Sequence, residues 1–198
     1  MAEHEHSFAT PGPAGLGALA VACFGFGAVF TGKVQLEGLP LLAAWLIGGG
    51  IVQYTVAVIE LKDHNLTGGN VFLFFSAFFM FGASLSVFAK FMMHKYGMTP
   101  HPVVEGWCWM AGALFLTAVT PAYAKTPLFL LIVVILLDIA LWLIFLLDMG
   151  ILSASVKPII GWLLIVAGFL AVYIIAAMVN NAAFGRKVIP LPGPVSKG

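Results

Sequence analysis

Long apolar stretches, broken by short polar or proline-containing segments, follow one another along the chain. Six of these stretches approach the roughly 20 residues that a helix needs to cross the hydrocarbon core of a bilayer. The predicted spans are 14–31, 40–61, 70–91, 104–120, 127–148 and 158–178. The segments between them are short, which favours antiparallel neighbours in one compact bundle.

The apolar stretches are typical of helices and not of a membrane barrel. Transmembrane strands alternate apolar and polar residues over about ten positions, whereas residues 128–137 read LFLLIVVILL without alternation. Only a helix satisfies the backbone polar groups of such a stretch within its own segment. We therefore predict an all-α, polytopic membrane protein, a six-transmembrane-helix bundle. Residues 14–178 form the transmembrane domain, between cytoplasmic tails at 1–13 and 179–198.

The composition supports a membrane protein and narrows the function classes. Charged residues make up 9% of the chain and hydrophobic residues 62%, against about 25% charged residues in a soluble domain. The net charge of +1 gives no indication of nucleic acid, and no such partner is predicted. The cysteines and histidines lack metal-ligand spacing, and His4 and His6 are interpreted as part of a tail, so no metal or cofactor is predicted.

Orientation is weakly encoded in the basic residues of the loops. One side collects five Lys or Arg residues and the other collects four, and an excess of such residues marks the cytoplasmic side. The densest basic spot is Arg186-Lys187 in the C-terminal tail. We therefore expect both termini in the cytoplasm.

Asp138 lies near the middle of the fifth apolar stretch. A carboxylate at this depth costs several kcal/mol unless it is paired, hydrated or protonated. Asp138 is therefore a candidate for proton handling in transport. The alternative is a carboxyl group hydrogen-bonded between helices or at a subunit contact.

Other polar residues also fall within or beside the predicted spans. Gln53 and Glu60 are seven residues apart, which places them on one face of the second helix, where they would supply a donor, acceptors and a charge to a water-filled vestibule. A solvated helix end near Lys62 is the alternative for Glu60. Asn181 follows the last predicted span, where it would cap the helix or face the vestibule.

Three segments carry a resemblance to a known family. Residues 10–16, TPGPAGL, resemble the Asn-Pro-Ala-Pro-Leu-Gly-Leu motif at the first helix of the acetate uptake transporter family. Gly49-Gly50-x-x-Gln53, followed by Glu60, Asn65 and Gly68, is similar to that family's Gly-Gly-x-x-Gln…Glu…Gly-Asn-Thr-Phe-Gly stretch. Residues 181–190, NAAFGRKVIP, resemble its Asn-Glu-Gln-Phe-Gly-Arg-Thr-Val-Leu-Pro ending.

Membership in that family would imply both architecture and substrate. The implied protein has six helices, cytoplasmic termini and one pore in each subunit of a homohexamer in the inner membrane of a prokaryote. Its implied substrates are acetate and, in some members, succinate. The polar pathway or vestibule is predicted to include Thr10, Gln53, Glu60, Asn65 and Asn181.

The resemblance also implies a central constriction. The family's Phe, Tyr and Leu positions fall on Leu19, Phe75 and Leu137, so Phe75 replaces a tyrosine and the constriction becomes wholly apolar. Removing water from a carboxylate is costly. The anion would therefore keep some water over a short dry zone, or the acid would cross protonated with Asp138 handling the proton.

The predicted function is a channel or proton-linked transporter for small monocarboxylates, acetate above all. A channel for a small neutral solute such as urea is the alternative, because an apolar constriction would suit it too. A membrane-embedded enzyme is disfavoured, because no nucleophile–base pair or ligand cluster lies inside a predicted helix. A structural subunit of a larger complex is a further alternative.

Overall fold

A computed structural model describes residues 9–196, and within that range all regular structure is helical. The helices are α1 (Gly12–Phe30), α2 (Leu39–Lys62), α3 (Leu66–Phe75), α4 (Ala83–Lys95), α5 (Val103–Val119), α6 (Leu128–Asp148) and α7 (Lys157–Ala183). A π-helical segment, Ser76–Gly82, joins α3 and α4 into one rod. Short 3-10 segments at Leu36–Gly38, Thr120–Lys125 and Ala154–Val156 extend α2, α5 and α7.

Six helical rods of the described chain are long and apolar enough to cross a membrane, which confirms the predicted all-α bundle. Four rods are several residues longer than predicted: the structure has Leu36–Lys62, Leu66–Lys95, Val103–Lys125 and Ala154–Ala183 where the sequence predicted 40–61, 70–91, 104–120 and 158–178. Apolarity marks only the part of a helix that lies in hydrocarbon, because polar residues at its ends reach interfacial water. Residues 1–8, with His4 and His6, lie outside the described residues.

The turn between α2 and α3 is tight. His64 adopts a positive φ of 60°, and Asn65 begins the next helix as its N-cap, where its Oδ1 accepts from the backbone N–H of Gly68 at 3.0 Å. Asparagine is among the strongest N-cap residues because its side chain satisfies a free amide of the first turn. This turn brings the end of α2 and the start of α3 together at one membrane face.

The helices form a ring with one seam. Going around it, α5 packs on α6, α6 on α7, α7 on α1, α1 on α2, and α2 on the α3–α4 rod. The ring closes between α3 and α5 through aromatic side chains. Phe74 stacks on Phe115 with centroids 4.2 Å apart, and Phe78 meets Trp109 edge-on at 5.0 Å. Side chains, more than backbone proximity, therefore hold the seam.

Small residues allow the closest helix contact, between α1 and α7. A Cβ added at Gly161 would lie 2.9 Å from the carbonyl oxygen of Gly27, and a Cβ at Gly27 would lie 3.1 Å from that of Gly161. Glycines permit such approach where lipid gives helices no hydrophobic drive to associate. At these two positions the glycines serve tight packing.

The six spans bring the two described ends of the chain to the same membrane face. The segment 184–196 then folds back against the turn between α5 and α6. The backbone N–H of Leu128 donates to the carbonyl of Pro192 at 3.2 Å, and Ser196 N–H donates to Ala124 at 3.0 Å. These bonds satisfy free amides and carbonyls near the ends of two helices.

Candidate functional site

Three cavities follow one another through the interior of the bundle, between the face that carries the chain ends and the opposite face. We name them the terminal chamber (about 170 Å³), the central cavity (about 40 Å³) and the far vestibule (about 370 Å³). The terminal chamber and the central cavity share Leu16, Phe72, Tyr123 and Leu130 in their walls. The polar groups lie mostly in the two outer spaces.

Glu60 is the charged centre of the terminal chamber. Its side chain is only 5% exposed, and both of its oxygens are bound. The Thr10 hydroxyl donates to Oε1 at 3.3 Å, and the Asn65 amide donates to Oε2. Gly68 makes room for this group, because a Cβ there would lie 3.1 Å from Oε2. The structure thus brings together three of the predicted vestibule residues, one on α2, one at the N-cap of α3 and one before α1.

Leu19, Phe75 and Leu137 all line the central cavity, together with Gln53. The structure therefore places the three predicted constriction residues at one level of the bundle. Gln53 is 1% exposed, and no residue of the described range 9–196 donates a hydrogen bond to its Oε1. The cavity is thus a small apolar space that holds one unpartnered amide oxygen, with room for about one or two water molecules.

Tyr123 lines both the terminal chamber and the central cavity. It is buried and lies within electrostatic reach of Glu60. A phenol hydroxyl, absent at Phe75, is therefore present in the neighbouring wall. No sequence pattern marked Tyr123 as a site residue, because it follows Pro121 in a segment that reads as a loop. The structure instead has a 3-10 turn, Thr120–Lys125, that continues α5 inward.

Aromatic rings separate the central cavity from the far vestibule. Phe79 contacts Phe75 with centroids 6.0 Å apart and Phe26 at 5.3 Å, and it also lines the far vestibule. Phe79 lies in the π-helical segment Ser76–Gly82. Such segments change the register of side chains along a helix and are frequent at functional sites. Passage of a solute would require displacement of these rings.

Among the described residues, several charged side chains line the far vestibule, and no sequence motif marked them as site residues. Lys90, Asp148 and Lys157 line it, as does Ser86. Lys90 is ion-paired with Glu105, and Ser86 donates to the same carboxylate. Asp148 is the last residue of α6, and Glu105 lies in the first turn of α5. Their common location depends on how α4, α5, α6 and α7 pack.

The Asp138 carboxyl group lies apart from the predicted constriction residues. Its carboxylate accepts a hydrogen bond from Thr117, with oxygen–oxygen distances of 2.8 and 2.9 Å, and Trp142 Nε1 donates to the same hydroxyl at 3.0 Å. In the described part of the chain, Asp138 lines none of the three cavities. The group lies between α5 and α6, where Thr117 is exposed.

Asn181 does not face the terminal chamber. It lies inside α7, and its side chain binds the segment that follows the helix. Oδ1 accepts from the backbone N–H groups of Val188 at 2.7 Å and Ile189 at 2.9 Å, while Nδ2 donates to the carbonyl of Ile189 at 2.9 Å. The expectation that Asn181 follows the helix and caps it or faces the vestibule is corrected, because the helix is longer than the apolar stretch and the amide is fully used.

A six-helix bundle with cavities in series along its interior has the architecture of a membrane transport protein. The chain belongs to the GPR1/FUN34/yaaH family, which matches residues 1–193. This match confirms the family resemblance carried by the sequence motifs.

Named relatives are similar over nearly the whole length. The succinate-acetate/proton symporter SatP of Escherichia coli K12 is 28% identical over 192 residues, covering 92% of this chain and 95% of that protein. SatP of Shigella flexneri gives the same figures. The solved structure of the bacterial acetate channel SatP superposes with a TM-score of 0.80 at 25% identity, covering 93% of this chain and 99% of that one.

Proposed function

We propose that the chain is a membrane channel or transporter for small monocarboxylates, with acetate as its main substrate. The observation that carries this proposal is the series of three cavities, narrowed at an apolar point that holds the unpartnered amide oxygen of Gln53. The similarity to an acetate channel and to succinate-acetate/proton symporters supports it. These relatives are transport proteins, and the chain is accordingly not an enzyme.

The geometry suits passage of a small carboxyl group. Polar side chains in both outer spaces can solvate a carboxylate, whereas Leu19, Phe75 and Leu137 in the central cavity cannot. Stripping water from the anion is costly over this stretch. The amide of Gln53 offers an N–H to a carboxylate oxygen and a carbonyl to the O–H of a protonated acid. The Gln53 amide inside this short apolar zone therefore lowers the barrier for a solute with one carboxyl group.

We propose that Glu60 handles the proton if passage is proton-linked. Glu60 is the carboxylate in the wall of the terminal chamber, one cavity away from the constriction. Asp138 remains the candidate predicted from the sequence, and its contacts with Thr117 favour a structural role. Replacement of each by its amide separates them, because only the proton-handling group should alter the dependence of flux on the proton gradient.

We further propose a homohexamer in the inner membrane of a prokaryote, with both termini cytoplasmic. Succinate should pass more slowly than acetate, because its second carboxylate must also be dehydrated. The constriction offers little help, since Phe75 has no hydroxyl to bind a carboxylate. The mass of the detergent-purified assembly tests the oligomer. Labelling of cysteines introduced in segments 9–11 and 184–196 by a membrane-impermeant reagent tests the orientation.

The deciding experiment is uptake of labelled acetate, succinate and urea by liposomes that contain the purified protein. Acetate uptake should exceed that of empty liposomes and of urea, and an inward proton gradient should raise it if passage is coupled. Transport by the purified chain alone would also exclude a purely structural subunit. Urea uptake as fast as acetate uptake, or acetate uptake no faster than in empty liposomes, would overturn the proposal.

A further inference from the structure

Four charged side chains gather at the far vestibule. Lys90 and Lys157 line it together with Asp148, and Glu105 approaches from beside it. Asp148 lies within electrostatic reach of both lysines and of Glu105. The formal charges of these four groups balance, so a carboxylate that arrives here meets lysines already accompanied by carboxylates of the chain.

Lys90 and Glu105 occupy different spaces but are joined. Lys90 lies on the wall of the far vestibule, whereas Glu105 lines a groove outside it, beside Phe78 and Trp109. The Lys90 ammonium donates to Oε2 of Glu105. The pair bridges the seam between the α3–α4 rod and α5, with side-chain exposures of 34% and 21%. A partly exposed ion pair of this kind is weak and therefore exchangeable.

Ser86 provides Glu105 with a second partner. Its hydroxyl donates to Oε1, the oxygen that Lys90 does not use. If the Lys90 ammonium moved into the vestibule, Glu105 would keep this hydrogen bond to Ser86. The ammonium would in turn need a new carboxylate, and a solute with a carboxyl group supplies the same head group as Glu105. One carboxylate then replaces another on the same ammonium.

We propose that Lys90 is a carboxylate-capture residue of the far vestibule and that Glu105 is its built-in competitor. A substrate carboxylate in the vestibule exchanges with Glu105 for the Lys90 ammonium and is then held next to the ring of Phe79, which also lines this space. This inference rests on the proposed transport of small carboxylates. It assigns to that function a loading site on the side opposite the chain ends.

The test compares Lys90→Met and Glu105→Gln in liposomes through the acetate concentration at half-maximal uptake. Lys90→Met should raise it about two- to fivefold, and Glu105→Gln should lower it by a similar factor, because one variant removes the ammonium and the other frees it. If the ion pair only held the seam together, both variants should shift the half-maximal acetate concentration in the same direction, and both should lose thermal stability. Shifts in the same direction would therefore overturn the inference.

A charge swap distinguishes carboxylate binding by Lys90 from a purely structural role of its ion pair with Glu105. The double variant Lys90→Glu/Glu105→Lys keeps an ion pair across the seam but moves the ammonium out of the vestibule wall. Its stability should approach that of the wild type, while the half-maximal acetate concentration should stay raised. Recovery of wild-type affinity in the swap would overturn the proposal. Should Lys90→Met fail to assemble, Glu105→Gln and the swap decide.

Two matched controls account for charge alone. The controls Glu37→Gln and Lys95→Met remove the same charges from exposed residues near the same membrane face. Neither Glu37 nor Lys95 lines the far vestibule. Both should leave the half-maximal concentration unchanged, and shifts as large as those of the test variants would refute capture at Lys90. Absence of acetate uptake by the wild type would refute the proposed function itself.

Discussion

Replacement of Gln53 by leucine should raise the stability of the protein and lower acetate flux. Gln53 is 1% exposed, and its Oε1 accepts no hydrogen bond from the described residues. Leucine is of similar size and has no polar atom to desolvate. Substitutions in a core usually destabilise, so a gain in stability combined with a loss of function would identify the amide as a functional group.

The magnitudes follow from the burial of this amide. A buried polar group without a partner costs about 1–3 kcal/mol, and leucine would relieve that cost. In a chain of this length, each kcal/mol corresponds to a rise of roughly 2–4 °C in the unfolding temperature. A hydrogen bond to a carboxylate in the central cavity is worth about 1.5–3 kcal/mol. Its loss should lower acetate flux roughly ten- to hundredfold.

The assay pairs thermal unfolding in detergent with uptake of labelled acetate into liposomes. The matched control is Gln35→Leu, the same substitution at an exposed loop position, which should change neither quantity. A Gln53→Leu variant that unfolds at a lower temperature than the wild type and transports acetate normally would refute the reasoning, because Gln53 would then be a satisfied structural residue.

Three further predictions use the same assays. Phe75→Ala should speed acetate uptake and admit larger monocarboxylates at a cost of about 3–5 kcal/mol in stability, and unchanged size selectivity would remove Phe75 from the constriction. Glu60→Gln should abolish the dependence of flux on the proton gradient while Asp138→Asn preserves it, and the reverse result would return proton handling to Asp138. Gly161→Leu should lower the unfolding temperature by disrupting the packing of α7 on α1, because even a Cβ there would lie 2.9 Å from the carbonyl oxygen of Gly27. A variant as stable as the wild type would contradict this contact.

The number and type of membrane spans could be predicted from the sequence because apolar length determines them physically. The proposed constriction residues Leu19, Phe75 and Leu137, which line one cavity, could be selected only through family motifs, without any knowledge of helix packing. Periodicity did not suffice, since a helix that is apolar all round carries no signal of which face is buried. Tyr123 and Lys90 were not predicted for this reason, because their positions depend on how several helices pack.

Helix packing favours one of the two alternatives open for Asp138, and it corrects the position of Asn181. Asp138 neighbours Leu137 in the sequence, yet consecutive residues on a helix point about 100° apart, so Asp138 meets Thr117 while Leu137 lines the central cavity. Asn181 appeared to follow a helix that ends with its apolar stretch. The helix instead continues, and a folded-back segment uses the whole amide.

The distribution of charge along the three cavities bears on selectivity. Glu60 lies in the terminal chamber, and Lys90, Asp148 and Lys157 lie in the far vestibule, whereas no carboxylate or ammonium among residues 9–196 lines the central cavity. Charged and polar groups can therefore solvate a solute in the terminal chamber and in the far vestibule. The solute must lose its charge or its water only in the central cavity. The cost grows with each charge that must cross this zone, and Gln53 is the amide there that can serve a carboxyl group. A path built in this way favours a small acid with one carboxyl group over a dicarboxylate of the same chain length.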